Sequence, residues 1–225
     1  MGKITILDET TKYPITLIGK RAGVCWDADI DDQNKNYKRG LDCLKSNHGR
    51  ALEFVNVEMI IDGYSARVIR EWYTHIGGAP TRLQESTRYV DSEFFNYVIP
   101  PKVFENDEAK AAYVKAMDQI SSCVGKLVSL GISREDAAMV LPLGMTTKIV
   151  DRRNLRNLID MSHTRMCTRA YWEFRELFND ILWALKDYSP EWKELIEKGY
   201  FEPNCLYLGT CPERKSCGRR EEKND

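Results

Sequence analysis

Three stretches of this chain carry side chains suited to a phosphorylated ligand. Residues 70–89 read REWYTHIGGAPTRLQESTRY: a helical stretch runs out at Gly77-Gly78-Ala79-Pro80 into a loop holding Arg82, Gln84, Glu85, Ser86, Thr87 and Arg88. Glycine lets backbone N–H groups close on an anion, and hydroxyl and guanidinium donors suit phosphate better than a lone ammonium. On composition alone a solvated, turn-rich loop is the simpler account. Residues 154–175, NLRNLIDMSHTRMCTRAYWEFR, put Arg156, Arg165, Arg169 and Arg175 on or near helices. An exposed face paired to Asp151, Asp160, Glu173 and Glu176 is the ordinary outcome there. His48–Glu53, HGRALE, sets Arg50 beside Gly49, where it could again meet a phosphate; a lone histidine before a strand is usually structural.

The elements that must hold these groups follow from periodicity. Lys3–Leu7 and Pro14–Ile18 read as short strands around a polar turn, and Asp27–Lys38 as a surface loop. Glu53–Asp62 alternates through Val55, Val57 and Met59 and predicts a strand. Ser65 caps a helix running to about Thr74, which Gly77, Gly78 and Pro80 stop. Glu93–Ile99 reads as a strand closed by Pro100-Pro101. Asp107–Leu130 has helical apolar spacing ended by Gly131, and Ser133 with Asp136 caps a short helix to about Val140. Lys148–Lys186 reads as two helices broken near Ser162–Thr168, with Ala170, Phe174, Leu177, Phe178, Ile181 and Leu185 as a stripe. Ser189-Pro190 starts a last short helix. Strands early and helices late argue an α+β class: a mixed or antiparallel sheet packed with long helices in one domain over residues 1–203, then a Cys-containing tail, 204–225.

Composition narrows the functions. The chain has 225 residues and a formal net charge of -1, which excludes a globally basic nucleic-acid binder. No apolar run is long enough to span a bilayer and no signal segment opens the chain, so a cytoplasmic protein with reduced thiols is expected. No Walker loop or Gly-x-Gly-x-x-Gly run is present. Seven cysteines include Cys205, Cys211 and Cys217 in the tail. Without a Cys-x-x-Cys pair no metal is assigned, and zinc binding there with Cys167 or His163 stays open.

Taken in order, the segments resemble the flavin-dependent thymidylate synthases, which methylate dUMP using FAD and a folate. HGRALEF, REWYTH, STRY, SREDAAMVLPLGMTT and NLRNLIDMSHTRMCTRAYWEFR each resemble a family motif, across roughly Pro14–Leu185. The resemblance implies a fold like that of the thymidylate synthase-complementing proteins. It implies that Arg70, Glu71, Thr74, Gln84, Glu85, Ser86, Thr87 and Arg88 bind dUMP, with Ser86 and Arg88 on its 5′-phosphate. His48, Arg50, Glu53, His75, Asn154, Arg156 and Asp160 would face FAD. Arg165 would lie against the uracil ring as the catalytic cation, stabilising negative charge that develops there. NADPH as reductant, methylenetetrahydrofolate as carbon donor, and a homotetramer with sites shared between subunits are implied too, with no membrane or nucleic-acid partner.

The chain departs from the pattern in three places. Thr74-His75-Ile76 stands where the family carries Arg-His-Arg, two extra residues separate His75 from Arg88, and Ala138 occupies a frequent arginine position. Arg50, Arg67 and Arg82 are expected to restore the missing cations. Two other readings remain: a flavin- and folate-dependent dUMP hydroxymethylase on the same scaffold, and a non-catalytic nucleic-acid-binding module using the tail and a basic helix face.

Overall fold

A computed structural model describes residues 2–221. Its centre is an antiparallel sheet in the order β1-β2-β4-β3, formed by β1 (Lys3–Ile6), β2 (Asn56–Ser65), β3 (Thr81–Gln84) and β4 (Thr146–Asn154). The period-two pattern of β2 turns Val57, Met59 and Ile61 into the core, and the strand kinks at Asp62–Tyr64, where Gly63 takes φ 77°. Against the sheet pack α4 (Ala66–Trp72), α8 (Leu155–Arg165) and α9 (Trp172–Tyr188). The expected stripe of α9 is buried at Phe174, Leu177, Phe178, Ile181 and Leu185, while Ala170 lies in the turn before it.

Helices α1 (Pro14–Val24), α2 (Gln33–Lys45), α3 (Gly49–Leu52) and α10 (Pro190–Glu197) close the other side of the core. α1 and α2 cross at backbone contact: a Cβ on Gly40 would lie 1.9 Å from the carbonyl oxygen of Ile15. An outlying arm holds α5 (Pro101–Phe104), α6 (Asp107–Ser129) and α7 (Arg134–Ala137). Its α6 begins and ends as the capping pattern predicts, yet buries only Met117 and Val124. After α10 comes α11 (Asn204–Tyr207) and the tail.

Four local expectations are corrected. Pro14–Ile18 is helical, because Pro14 at the first turn presets helical φ and a five-residue apolar run does not discriminate. The second half of the expected Asp27–Lys38 loop is the start of α2: Asp32 caps it by accepting from the Lys35 N–H, and its buried face is Asn36, Gly40, Cys43 and Leu44, too polar to read as a stripe. Glu93–Ile99 forms no strand. Only Tyr97 bridges Met145, and the aromatic rings pack together, Tyr97 lying 6.2 Å from Phe95 and 6.0 Å from Tyr113. The run from Lys148 is strand β4 as far as Asn154, and only then helix.

That last correction has an electrostatic cause. The inward residues of β4 after Ile149 are Asp151 and Arg153, both fully buried. Arg153 binds Asp151 through Nε at 2.6 Å and Nη2 at 2.8 Å, and its Nη1 reaches Asn157 Oδ1 at 2.7 Å. The Trp72 indole N–H donates to Asp151 Oδ1 at 3.1 Å, and the Arg153 guanidinium lies 4.1 Å from the Trp72 ring centroid. One ion pair thus ties β4 to the end of α4 and the first turn of α8. A second buried acid joins α9 to α4: Glu173 accepts from the Ser65 N–H at 2.7 Å and from its hydroxyl at 2.5 Å. Asp151 and Glu173 therefore serve the core and do not pair with an exposed basic face.

Removing one partner of a buried pair strands the other charge. Arg153→Met is expected to cost about 3–5 kcal/mol in urea unfolding, part of it recovered by the double change Asp151→Leu/Arg153→Met. A loss below about 1 kcal/mol for Arg153→Met would contradict this role.

Candidate functional site

The last residue of α8 is Arg165, and its side chain is 27% exposed. Three groups converge on its guanidinium. Nε donates to His75 Nε2 at 2.9 Å, Nη1 lies 3.5 Å from Glu71 Oε2, and Cζ sits 4.9 Å from the centre of the Phe174 ring. The Phe174 ring also meets His75, with centroids 5.7 Å apart. Glu71 comes from the last turn of α4, His75 from just beyond it, and Phe174 from the start of α9. Because a guanidinium only donates, His75 Nε2 must be an acceptor and the ring neutral, with its proton on Nδ1. Burial, then the charges of Arg165 and Arg153, hold its pKa down to about 4.

Arg82 enters the same end of the molecule from β3. Its Nη1 donates to the Tyr73 carbonyl at 2.9 Å, capping α4, and its guanidinium lies 4.4 Å from the Tyr73 ring centre. It thereby supplies a cation beside Thr74 and His75 that is bonded to no carboxylate among the described residues. Thr74 donates through its hydroxyl to the Glu71 carbonyl, and Arg70 is exposed.

A second group gathers where α3 meets α8. Arg156 Nη1 binds Glu53 Oε1 at 2.6 Å, and Arg50, Arg156 and Asp160 line a cavity of about 600 Å³ with Tyr200 and Tyr207. His48 and Arg50 border an adjoining apolar cavity of about 460 Å³ with Trp26 and Phe54. Arg50 makes no ion pair among the described residues, so its charge is available to an anion. The two adjoining hollows thus combine aromatic walls with one unpaired guanidinium, that of Arg50, a chemistry suited to an aromatic, anionic ligand. Asn154 is buried at the start of α8. Its Oδ1 accepts from the Asn157 N–H at 2.9 Å as the cap of α8. Gly78, at φ 71°, packs so close that a Cβ there would lie 2.2 Å from Asn154 Nδ2, which is why the turn after α4 needs glycine.

The remaining predicted residues lie apart. Gln84 Nε2 donates to Thr147 Oγ1 at 3.2 Å, and Gln84, Glu85 and Thr87 line a cavity of about 310 Å³. Ser86 Oγ accepts from the Arg88 N–H at 3.2 Å, and the Arg88 side chain pairs with Glu135 on α7 at 2.8 Å. β4 advances about 13 Å from Thr147, beside Gln84, to Asp151, beside Trp72. No hydrogen bond or ion pair joins Gln84–Arg88 to Arg165 among the described residues.

Sequence reasoning missed Phe174 as a contact of Arg165, since it reads as one more core residue of the α9 stripe. It also missed Tyr200 and Tyr207, which no motif singled out. In the tail, Cys167, Cys205, Cys211 and Cys217 with His163 border one small cavity of about 80 Å³. The Thr168 side chain hydrogen-bonds Cys217 and lowers its thiol pKa. As the side chains lie, no group of three or more His, Cys, Asp or Glu among the described residues is placed to hold a metal ion. The tail docks on the turn after Arg165 through Arg169, which donates to the Lys215 carbonyl at 2.6 Å and pairs with Glu213 at 3.5 Å. No helix among the described residues is long and apolar enough to cross a membrane.

Residues 6–191 match the family described as thymidylate synthase complementing protein. The flavin-dependent thymidylate synthase of Clostridium tetani is 30% identical over 99% of this chain and 96% of its own. That of Geobacter sulfurreducens is 30% identical over 98% of this chain and 95% of its own. That of Nitratidesulfovibrio vulgaris is 32% identical over 78% and 73%.

The environment of His75 makes a direct prediction. An unfolded histidine titrates near 6.5, so between that value and about 4 the unfolded chain binds the extra proton and the folded one does not. Stability is therefore expected to fall as pH drops through that window, and the His75 ring signal in proton NMR should titrate with a midpoint near 4. A midpoint near 6.5 would contradict a buried, cation-facing ring.

Proposed function

The chain belongs to the thymidylate synthase complementing protein family, and from that premise we propose that it is a flavin-dependent thymidylate synthase, converting dUMP to dTMP. The observation that carries the reading is the fixed guanidinium of Arg165. Of its five N–H groups two are committed, Nε to His75 and one on Nη1 toward Glu71, which leaves three for a planar ligand. Held half out of water, such a cation stabilises negative charge on a pyrimidine ring far better than a hydrated one would.

The other assignments follow the same chemistry. Arg50, Arg156, His48 and Asp160 border the hollows that take FAD, Glu53 holds Arg156 beside them, and Asn154 caps the helix that carries Arg156 and Asp160, while His75, which the resemblance puts by FAD, borders neither hollow and lies against Arg165; bound flavin supplies the redox step. Arg82 stands in for the arginines absent beside His75. Arg70, Glu71, Thr74 and the loop from Gln84 to Arg88 take dUMP, the Ser86 hydroxyl and the Arg88 guanidinium reaching its phosphate once Arg88 leaves Glu135. Methylenetetrahydrofolate provides the carbon and NADPH the reducing equivalents. Seven free cysteines suit a reducing cytoplasm.

A homotetramer with shared sites is part of the proposal. Two features support it: Arg165 and Arg88 share no contact within one protomer, and large apolar side chains stand exposed on and after the outlying arm, Leu130 at 65%, Met139 at 84% and Leu143 at 53%.

Purified protein titrated with FAD should develop flavin absorbance, and supplied with NADPH, methylenetetrahydrofolate and 5-tritiated dUMP it should release tritium and form dTMP. Arg165→Ala is expected to lower turnover by about 100-fold or more while leaving FAD bound. Arg165→Ala turning over at the parent rate, or a hydroxymethylated product in place of dTMP, would overturn the reading.

A further inference from the structure

We propose that His75 is a positioning residue for Arg165: its Nε2 accepts from Arg165 Nε and, with the Phe174 ring against the guanidinium, aims the remaining N–H groups at the pyrimidine. This rests on the functional reading above for what the aimed groups do, but not for the bond itself.

Arg165 ends its helix, and nothing beyond it on α8 restrains the side chain. A free arginine side chain carries about 2 kcal/mol of rotamer entropy, so a catalytic cation left loose would visit many orientations. Phe174 restricts the plane of the guanidinium but not its rotation within that plane, since a ring face offers no directional acceptor. Glu71 attracts charge at 3.5 Å, beyond the length of a strong charge-assisted hydrogen bond. The 2.9 Å bond from Nε to His75 is the directional contact, and Nε is the one guanidinium nitrogen on the chain side of the group. Anchoring it fixes the in-plane rotation and leaves Nη2 without a protein partner among the described residues.

The imidazole is itself held. It packs edge-on to Phe174, and it lies just past α4, whose Trp72 is locked to Asp151. An amide would serve the same purpose, since it too presents an acceptor to a guanidinium, whereas a phenyl ring fills the space and accepts nothing.

The test compares His75→Phe with His75→Gln in the full-length protein. Turnover of dUMP, FAD affinity by absorbance titration, and the Arg165 Nε–H signal in 15N-edited NMR of the ligand-free protein are measured on each. The Nε–H signal should be protected from water exchange in the parent and in His75→Gln, and lost in His75→Phe. Turnover should fall about 10-fold or more in His75→Phe with FAD affinity changed less than about 3-fold, and recover to within about 3-fold of the parent in His75→Gln. The proposal is overturned if His75→Phe turns over like the parent. It is also overturned if His75→Gln is no better than His75→Phe, or if the fall in turnover is matched by an equal loss of FAD affinity. An unprotected Nε–H in the parent overturns it without reference to activity. A protected Nε–H in a protein that never turns over dUMP removes the functional reading instead.

Discussion

The buried ion pair of Asp151 and Arg153 sets the geometry of everything functional in this chain. Neither charge could lie under the sheet alone, and together they satisfy almost every polar atom they present by recruiting Trp72 and Asn157. The recruits belong to the two helices that matter. Trp72 closes α4, directly before Thr74 and His75, and Asn157 lies in the first turn of α8, whose far end is Arg165. Pinning both helices to one strand fixes the distance from Arg165 to His75 and Glu71, so Arg165 inherits its position from a charge pair that it does not touch. Glu173 adds a second clamp at the other end of α4, and Phe174 next to it supplies the aromatic face.

The same sheet separates what it positions. β3 places Arg82 against Tyr73, directly before Thr74 and His75, and then leads on to Gln84 and the Ser86–Arg88 turn. Within one protomer Arg165 and the Ser86–Arg88 turn make no contact among the described residues. Arg88, paired with Glu135 on the outlying arm, sits beside the apolar surface that a neighbouring copy would cover.

How much of this the sequence discloses varies with the physics. Elements that bury an apolar stripe or carry a side-chain cap were legible: α4 behind Ser65, α6 from its apolar spacing and Gly131, α9, and α10 behind Ser189. Those whose buried face is polar were not. β4 hides Asp151 and Arg153, and α2 hides Asn36 and Gly40, so no hydrophobic period announces either. The arginine-bearing motifs were legible as a resemblance, and Arg165, His75 and Glu71 do meet. Phe174 was hidden by looking like core, and the pairing of Arg88 with Glu135 could not be read at all, because order along a chain does not show which distant carboxylate a side chain meets.

A subunit-mixing experiment tests most directly whether two protomers share each nucleotide site. Arg88→Ala and Arg165→Ala chains, each inactive alone, are dissociated, mixed in equal amounts and reassembled. A shared site takes Arg165 from one chain and Arg88 from another, so random mixing should restore about one quarter of the parent turnover. Mixed assemblies as inactive as either variant alone would mean that each site is built within one chain.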